Sequence, residues 1–116
     1  MNELQPEKYR TDLEIIRLTA EQVIKDLDVF GISVEFSGNP FTAYGELEQQ
    51  LCPILADLYK KDASSFRALL YRIDVSESDY RKISGQPGFI PNLAAAVLQR
   101  EFKKVLIRKY FSNKPT

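Results

Sequence analysis

The residues Leu13, Ile16, Ala20, Val23, Leu27 and Phe30 are apolar and fall 3, 4, 3, 4 and 3 positions apart. That rhythm puts all six on one face of an α-helix and is incompatible with the two-residue period of a strand. It predicts a helix over 10–29. Glu21 stands four residues before Lys25, the favourable order for an ion pair on the outer face, with Arg17 one turn earlier and Gly31 as a stop. A sustained heptad would make a coiled-coil dimer, but so short a run fits packing inside a bundle better.

The rhythm changes after Gly31, where Ile32, Val34 and Phe36 alternate with Ser33, Glu35 and Ser37. This predicts a short strand or extended linker at 32–36, and no second alternating run is present to pair with it. Extended packing over helices, or pairing across a dimer, are the options left. Asn39 is a candidate N-cap with Pro40 in the first turn of a second helix. That helix carries Tyr44, Leu47, Leu51, Ile54, Leu55 and Leu58, and Pro53 predicts a kink or a restart near Cys52. Asp62 or Ser64 would cap a third helix through Phe66, Leu69, Leu70 and Ile73. Ser76 with Asp79 resembles a capping box before a short fourth helix ended by Gly85. Glycines and prolines between Ser84 and Asn92 predict a loop, followed by a helix from Leu93 to Tyr110. The fold expected is therefore all-α, a small bundle of about five helices with one extended segment.

At 116 residues, 44% hydrophobic and 28% charged, the chain suits a single domain over 1–116, with flexible ends expected at 1–8 and 112–116. It contains no histidine, which removes Ser-His-Asp triads and His-ligated zinc. Cys52 is the one cysteine, so no internal disulfide can form. Its neighbours Leu51, Ile54 and Leu55 make it a small buried hydrophobe rather than an activated thiolate. No apolar run approaches the ~18 residues of a membrane span, and the first residues lack a basic stretch followed by an apolar one. A cytoplasmic protein with no cofactor and no metal is expected.

The formal net charge of zero conceals a division. Residues 1–58 hold eleven acids against four bases, a net of −7, and residues 59–116 hold twelve bases against five acids, a net of +7. Such asymmetry favours a charged partner or head-to-tail self-association, unless folding interleaves the halves. On the last helix Arg100, Lys103, Lys104 and Arg108 share one side and Leu98, Phe102, Val105 and Leu106 the other, which predicts a basic ridge. A ridge of this kind receives phosphates or an acidic protein surface, or is simply solvated. Nucleic acid is disfavoured by the zero net charge and by aromatics that fall with the apolar set.

Among the remaining candidates, Asp57 with Asp62, Asp26 with Asp28, and Glu46 with Glu48 are close carboxylate pairs that lack the loop of a calcium site, and solvated helix faces account for them. Phe89 and Ile90, an apolar pair between prolines, either plug one end of the bundle or present a knob to a partner, the plug being the better fit. Six tyrosines, Tyr9, Tyr44, Tyr59, Tyr71, Tyr80 and Tyr110, suit half-buried or interface positions.

The run Leu69-Leu-Tyr-Arg-Ile-Asp-Val-Ser-Glu77, with the ending Arg100-Glu-Phe-Lys-Lys-Val-Leu-Ile-Arg-Lys-Tyr-Phe111, resembles a group of small uncharacterised bacterial proteins. The resemblance covers the second half of the chain and implies a bacterial, cytosolic protein, with no catalytic residue carried over. The function expected is a non-enzymatic protein-interaction module, homodimeric or bound to another protein, with Arg100, Lys103, Lys104, Arg108, Phe89 and Ile90 as interaction residues. Two rivals stand beside it. One is a small enzyme or ligand binder using Tyr, Arg and carboxylate groups between helices. The other is a nucleic-acid-associated factor using the basic helix face.

Overall fold

The structure, a computed structural model, describes residues 12–111. The ends expected to be flexible, 1–8 and 112–116, and Tyr9 lie outside the described residues. Five helices follow one another: α1 (Leu13–Asp28), α2 (Ala43–Lys61), α3 (Ala63–Ile73), α4 (Glu77–Ser84) and α5 (Phe89–Phe111). The described residues contain no strand.

Local chemistry explains most of the boundaries. The Asp12 carboxylate accepts from the Glu14 and Ile15 amides and starts α1, and Gly31, at φ 72°, turns the chain out beyond its end. Asp62 closes α2 through its own amide and opens α3 by accepting from Ser65 N, so two helices meet at a single residue. Ser76 accepts from Asp79 N at the start of α4, which is half of the expected capping box. The residue between α3 and α4 that adopts positive φ is Asp74, at 75°, an aspartate that tolerates the left-handed region better than a branched residue would.

Three boundaries differ from expectation. Asn39 is not the N-cap of α2: its side chain accepts from Phe41 N in a local turn, and Thr42 stands at the cap without a side-chain bond to the first helix amides. Of the kink or restart expected near Cys52, the restart does not occur. α2 runs through Pro53, which is exposed, as is Gln49, whose carbonyl loses its donor, so solvent can take the place of the missing bond. α5 begins at Phe89 instead of Leu93. Pro91 occupies its third position, where the absent N–H would have had no intrahelical acceptor, and Gly88 at φ 76° makes the preceding turn.

The segment at 32–36 is extended, as its alternation predicts, with Val34 buried, Ile32 and Phe36 packed on the core, and Ser33 and Glu35 exposed. Its missing neighbour strand is replaced by a side chain. Gln50 of α2 accepts from Glu35 N at 2.9 Å and donates to Glu35 O at 2.7 Å, the two bonds that an adjacent strand would make. Glu46 extends the same docking by accepting from Ser37 N.

α5 is the axis of the bundle and touches each of the other four helices. The main core gathers Val23, Leu27, Leu51, Leu55, Leu69, Ile73, Leu93 and Val97, while Ile15, Phe102, Val105 and Leu106 form a smaller cluster between α1 and the second half of α5. α1 is buried over two adjacent stripes. Ile16, Ala20, Val23 and Leu27 form the expected one, and Ile15, Thr19, Gln22 and Asp26 form a second that turns polar toward its end.

Candidate functional site

The polar end of that second stripe meets α3 and α5 in a buried seam. Asp26 is 2% exposed. Its Oδ1 accepts from Gln22 Nε2 and from Arg72 Nε of α3, both at 3.0 Å, and its Oδ2 accepts from Lys104 Nζ of α5 at 3.1 Å. Glu101, fully buried one turn before Lys104, shares that ammonium with Asp26. Lys104 Nζ is 2.7 Å from Glu101 Oε1 without the alignment of a hydrogen bond, and neither Glu101 oxygen has a donor among the described residues.

The two carboxyls are driven apart by this setting. Burial pushes Glu101 up to about 8, helped by the neighbouring Asp26 carboxylate, against the opposing pull of Lys104. Burial also works to raise Asp26, but the influence of Glu101, Lys104 and Gln22 outweighs it and holds Asp26 below the ordinary aspartate value. Asp26 is therefore a correction to the expectation of a solvated carboxylate pair with Asp28. It is the ionised hub of the seam, while Asp28 is exposed.

The expected basic ridge is divided by these contacts. Lys104 turns into the seam with its side chain 18% exposed. Arg100 is drawn to Asp74 Oδ2 at 2.6 Å. Lys103 and Arg108 remain exposed. The four cations thus do not form one solvent-facing surface, which withdraws the main support for phosphate binding there.

A second feature lies at the other end of the molecule. Four helices each contribute one ring: Tyr59 of α2, Phe66 of α3, Tyr80 of α4 and Phe89 of α5. They close a cycle of edge-to-face contacts with centroids 5.3 Å (Tyr59–Phe66), 6.2 Å (Phe66–Tyr80), 5.9 Å (Tyr80–Phe89) and 5.1 Å (Phe89–Tyr59) apart. Phe89 and Ile90 are half-buried against the core, in the position of a plug rather than of a projecting knob.

The outer side of this ring cycle is an open groove of about 540 Å³ between the end of α2, α3 and α4. Phe66, Leu70 and Val75 line its inner part, and Tyr59, Tyr71 and Tyr80 its sides. Tyr71 is 87% exposed and Tyr59 51%. Arg67, Glu77 and Arg81 stand at the margin, the last two joined by an ion pair of 2.8 Å. Burial, with Tyr59 alongside, raises the Tyr80 hydroxyl above the ordinary value, so Tyr80 is neutral at physiological pH.

Among the described residues, the most exposed phenylalanine is elsewhere. Phe41, 82% exposed, projects just before α2, close in sequence to Glu46 and Glu48. Hydrogen bonds from Ser37 and Thr42 hold Glu46 below the usual carboxylate range, so it stays charged. Cys52 is half-buried, and burial with the nearby Glu48 charge pushes its thiol up, away from an activated thiolate. Among the described residues, no group of three or more Cys, Asp or Glu side chains is placed to hold a metal ion, and no helix is long and apolar enough to cross a membrane.

Sequence reasoning passed over Glu101 and the groove. Glu101 carried a visible signal, because it continues the stripe Ala94, Val97, Glu101, Val105, so an acid occupies a core position. The groove had none, since its walls come from three helices. Comparison of the chain with protein-family models, with curated proteins and with solved structures finds no match to any of them.

Proposed function

We propose that this chain is a non-enzymatic, cytosolic protein-interaction module that associates with a second copy of itself through the groove between α2, α3 and α4. The observation that carries the reading is the placement of Tyr71 and Tyr59 in the open, Tyr59 being itself a member of the ring cycle that leads in to the buried Phe66. Exposed aromatic surface of this kind is characteristic of interface centres, where Tyr is enriched and cations such as Arg surround it.

A second copy is the occupant that charge favours. Arg67 and Arg81 at the groove belong to the basic half of the chain, whereas Phe41 projects from the acidic half beside the ionised Glu46. Phe41 and Tyr59 flank opposite ends of α2, so two copies lying antiparallel would offer each Phe41 to the partner's groove. The bacterial origin implied by the second half of the sequence belongs to the same proposal.

Sedimentation velocity over a concentration series tests it. Dimer is expected for the native chain, weakening as salt rises, and monomer for Tyr71→Glu and for Phe41→Ser with the helical spectrum unchanged. A native chain that stays monomeric at every concentration overturns the reading. The groove also supports small-ligand binding as a second reading, because its volume falls in the range of ligand pockets and Tyr, Arg and Glu groups surround it. Ligand-induced perturbation of Tyr71 and Tyr80 resonances in a monomeric native chain would favour that alternative.

A further inference from the structure

The carboxyl group of Glu101 is fully buried, with Lys104 Nζ 2.7 Å from Oε1 as its one close cation and no donor aligned on either oxygen among the described residues. An ionised carboxylate in that position would forgo the hydrogen bonds it makes in water and would stand beside a second carboxylate that is already charged. One proton removes both difficulties. Placed on Glu101, it gives that carboxyl an O–H to donate, and Asp26, which shares the Lys104 ammonium with it, is the acceptor.

The other charged groups around the pair fit this arrangement. α1 brings Asp26 itself, with the neutral Gln22 beside it, and α3 brings Arg72. α5 brings Lys104 and, one turn before Glu101, Arg100, which is engaged by Asp74 at the end of α3. α2 brings Glu48 to α5 at Leu98 and Phe102. Lys104 stands between the two carboxyls, 2.7 Å from Glu101 and 3.1 Å from Asp26. Asp26 has Arg72 and Gln22 as further donors and Glu101 has none among the described residues, so Asp26 keeps its charge and the proton resides on Glu101.

We propose that Glu101 and Asp26 share one proton in the folded protein, and that this proton latches α1 and α3 onto α5, so that its release to base in the surrounding water loosens the seam. Asp26 is the point at which the three helices meet, with Arg72 bound from α3 and Lys104 from α5 on the same carboxylate. Ionising Glu101 adds a second negative charge against it, and both charges then demand water that the closed seam does not admit. The raised value of about 8 for Glu101 puts the transition in the mildly alkaline range.

The test is carried out on the full chain. Carbon-13 NMR of the Glu101 side-chain carboxyl follows its ionisation directly, and the midpoint is expected near 8 rather than at the ordinary 4.5. In parallel, amide exchange of α1, corrected for intrinsic base catalysis, reads the opening of the seam. Opening in the native chain is expected to rise about tenfold or more between roughly pH 6.5 and roughly pH 9. In Glu101→Gln it is expected to stay flat, because the amide N–H₂ donates to Asp26 at every pH. A Glu101 carboxyl that titrates at the ordinary glutamate value overturns the proposal, and so does the same alkaline opening in the Gln variant. Should that variant fail to fold, the carboxyl titration of the native chain decides alone.

Discussion

Helix α3 takes part in two regions that break the usual rule of apolar interior and polar exterior, and they break it in opposite directions. Toward α1 and α5 it sends Arg72 into a seam where Asp26 and Glu101 are buried. Toward α2 and α4 it presents Tyr71 beside a groove of exposed aromatic surface. The seam is costly to build and is held by mutual satisfaction, since Asp26 accepts from three side chains on three helices. The groove costs the fold little, but leaves apolar surface in water that only a partner can remove. Disturbing the seam should therefore be read in stability, and disturbing the groove in association.

The largest effect expected is that of Asp26→Ala, which leaves Arg72 and Lys104 without their shared acceptor. Denaturant unfolding should show a loss of about 3–5 kcal/mol, the usual result of removing one partner from a buried ion pair. A loss below about 1 kcal/mol would mean that the seam is a surface feature in energetic terms.

Next comes the pH dependence of the native chain. Glu101 is raised from 4.5 to about 8 on folding, so its contribution is complete below 4.5 and is lost as pH climbs toward and through 8. Stability should fall by about 4 kcal/mol between roughly pH 5 and roughly pH 9, and Glu101→Gln should abolish most of that slope. Asp26 is shifted the other way, so its contribution is present above 3.8 and lost only in acid, outside this window.

A smaller effect separates buried from half-exposed polar contacts. Gln50→Ala removes the two bonds that take the place of a neighbouring strand at Glu35, and should cost about 1 kcal/mol. The Glu35 amide should lose its exchange protection while α1 keeps its own. The smallest stability change is expected at the groove, where Tyr71→Ser should move unfolding by no more than about 0.5 kcal/mol while abolishing self-association. A large stability loss there would show Tyr71 to be structural and would erase the contrast between the two regions. Reversing Lys104, by contrast, belongs with the seam, because its ammonium is engaged by Asp26.

Periodicity and caps were sufficient for the helices because both are local. The stripe from Ile16 to Leu27, the Asp62 and Ser76 caps and the Gly31 turn each depend on residues within about one turn of one another. The differences arose where a breaker met a context that made it harmless. Pro53 is at an exposed position of α2, and Pro91 is in the first turn of α5, where its missing donor has no consequence.

What the sequence determined by itself is thus the all-α character, the approximate extent of five helices, the extended run at 32–36 and the absence of histidine chemistry. The tertiary structure decided which charged residues are surface and which are core. Asp26 and Arg72 are 46 residues apart, and Asp26 and Lys104 78 apart, and neither pairing leaves a trace in local spacing. The same holds for the ring cycle, which takes a single side chain from each of four helices. A residue's helical face follows from its neighbours in sequence, but what that face meets follows from how helices cross, and the desolvation that shifts Glu101 exists only once they have done so.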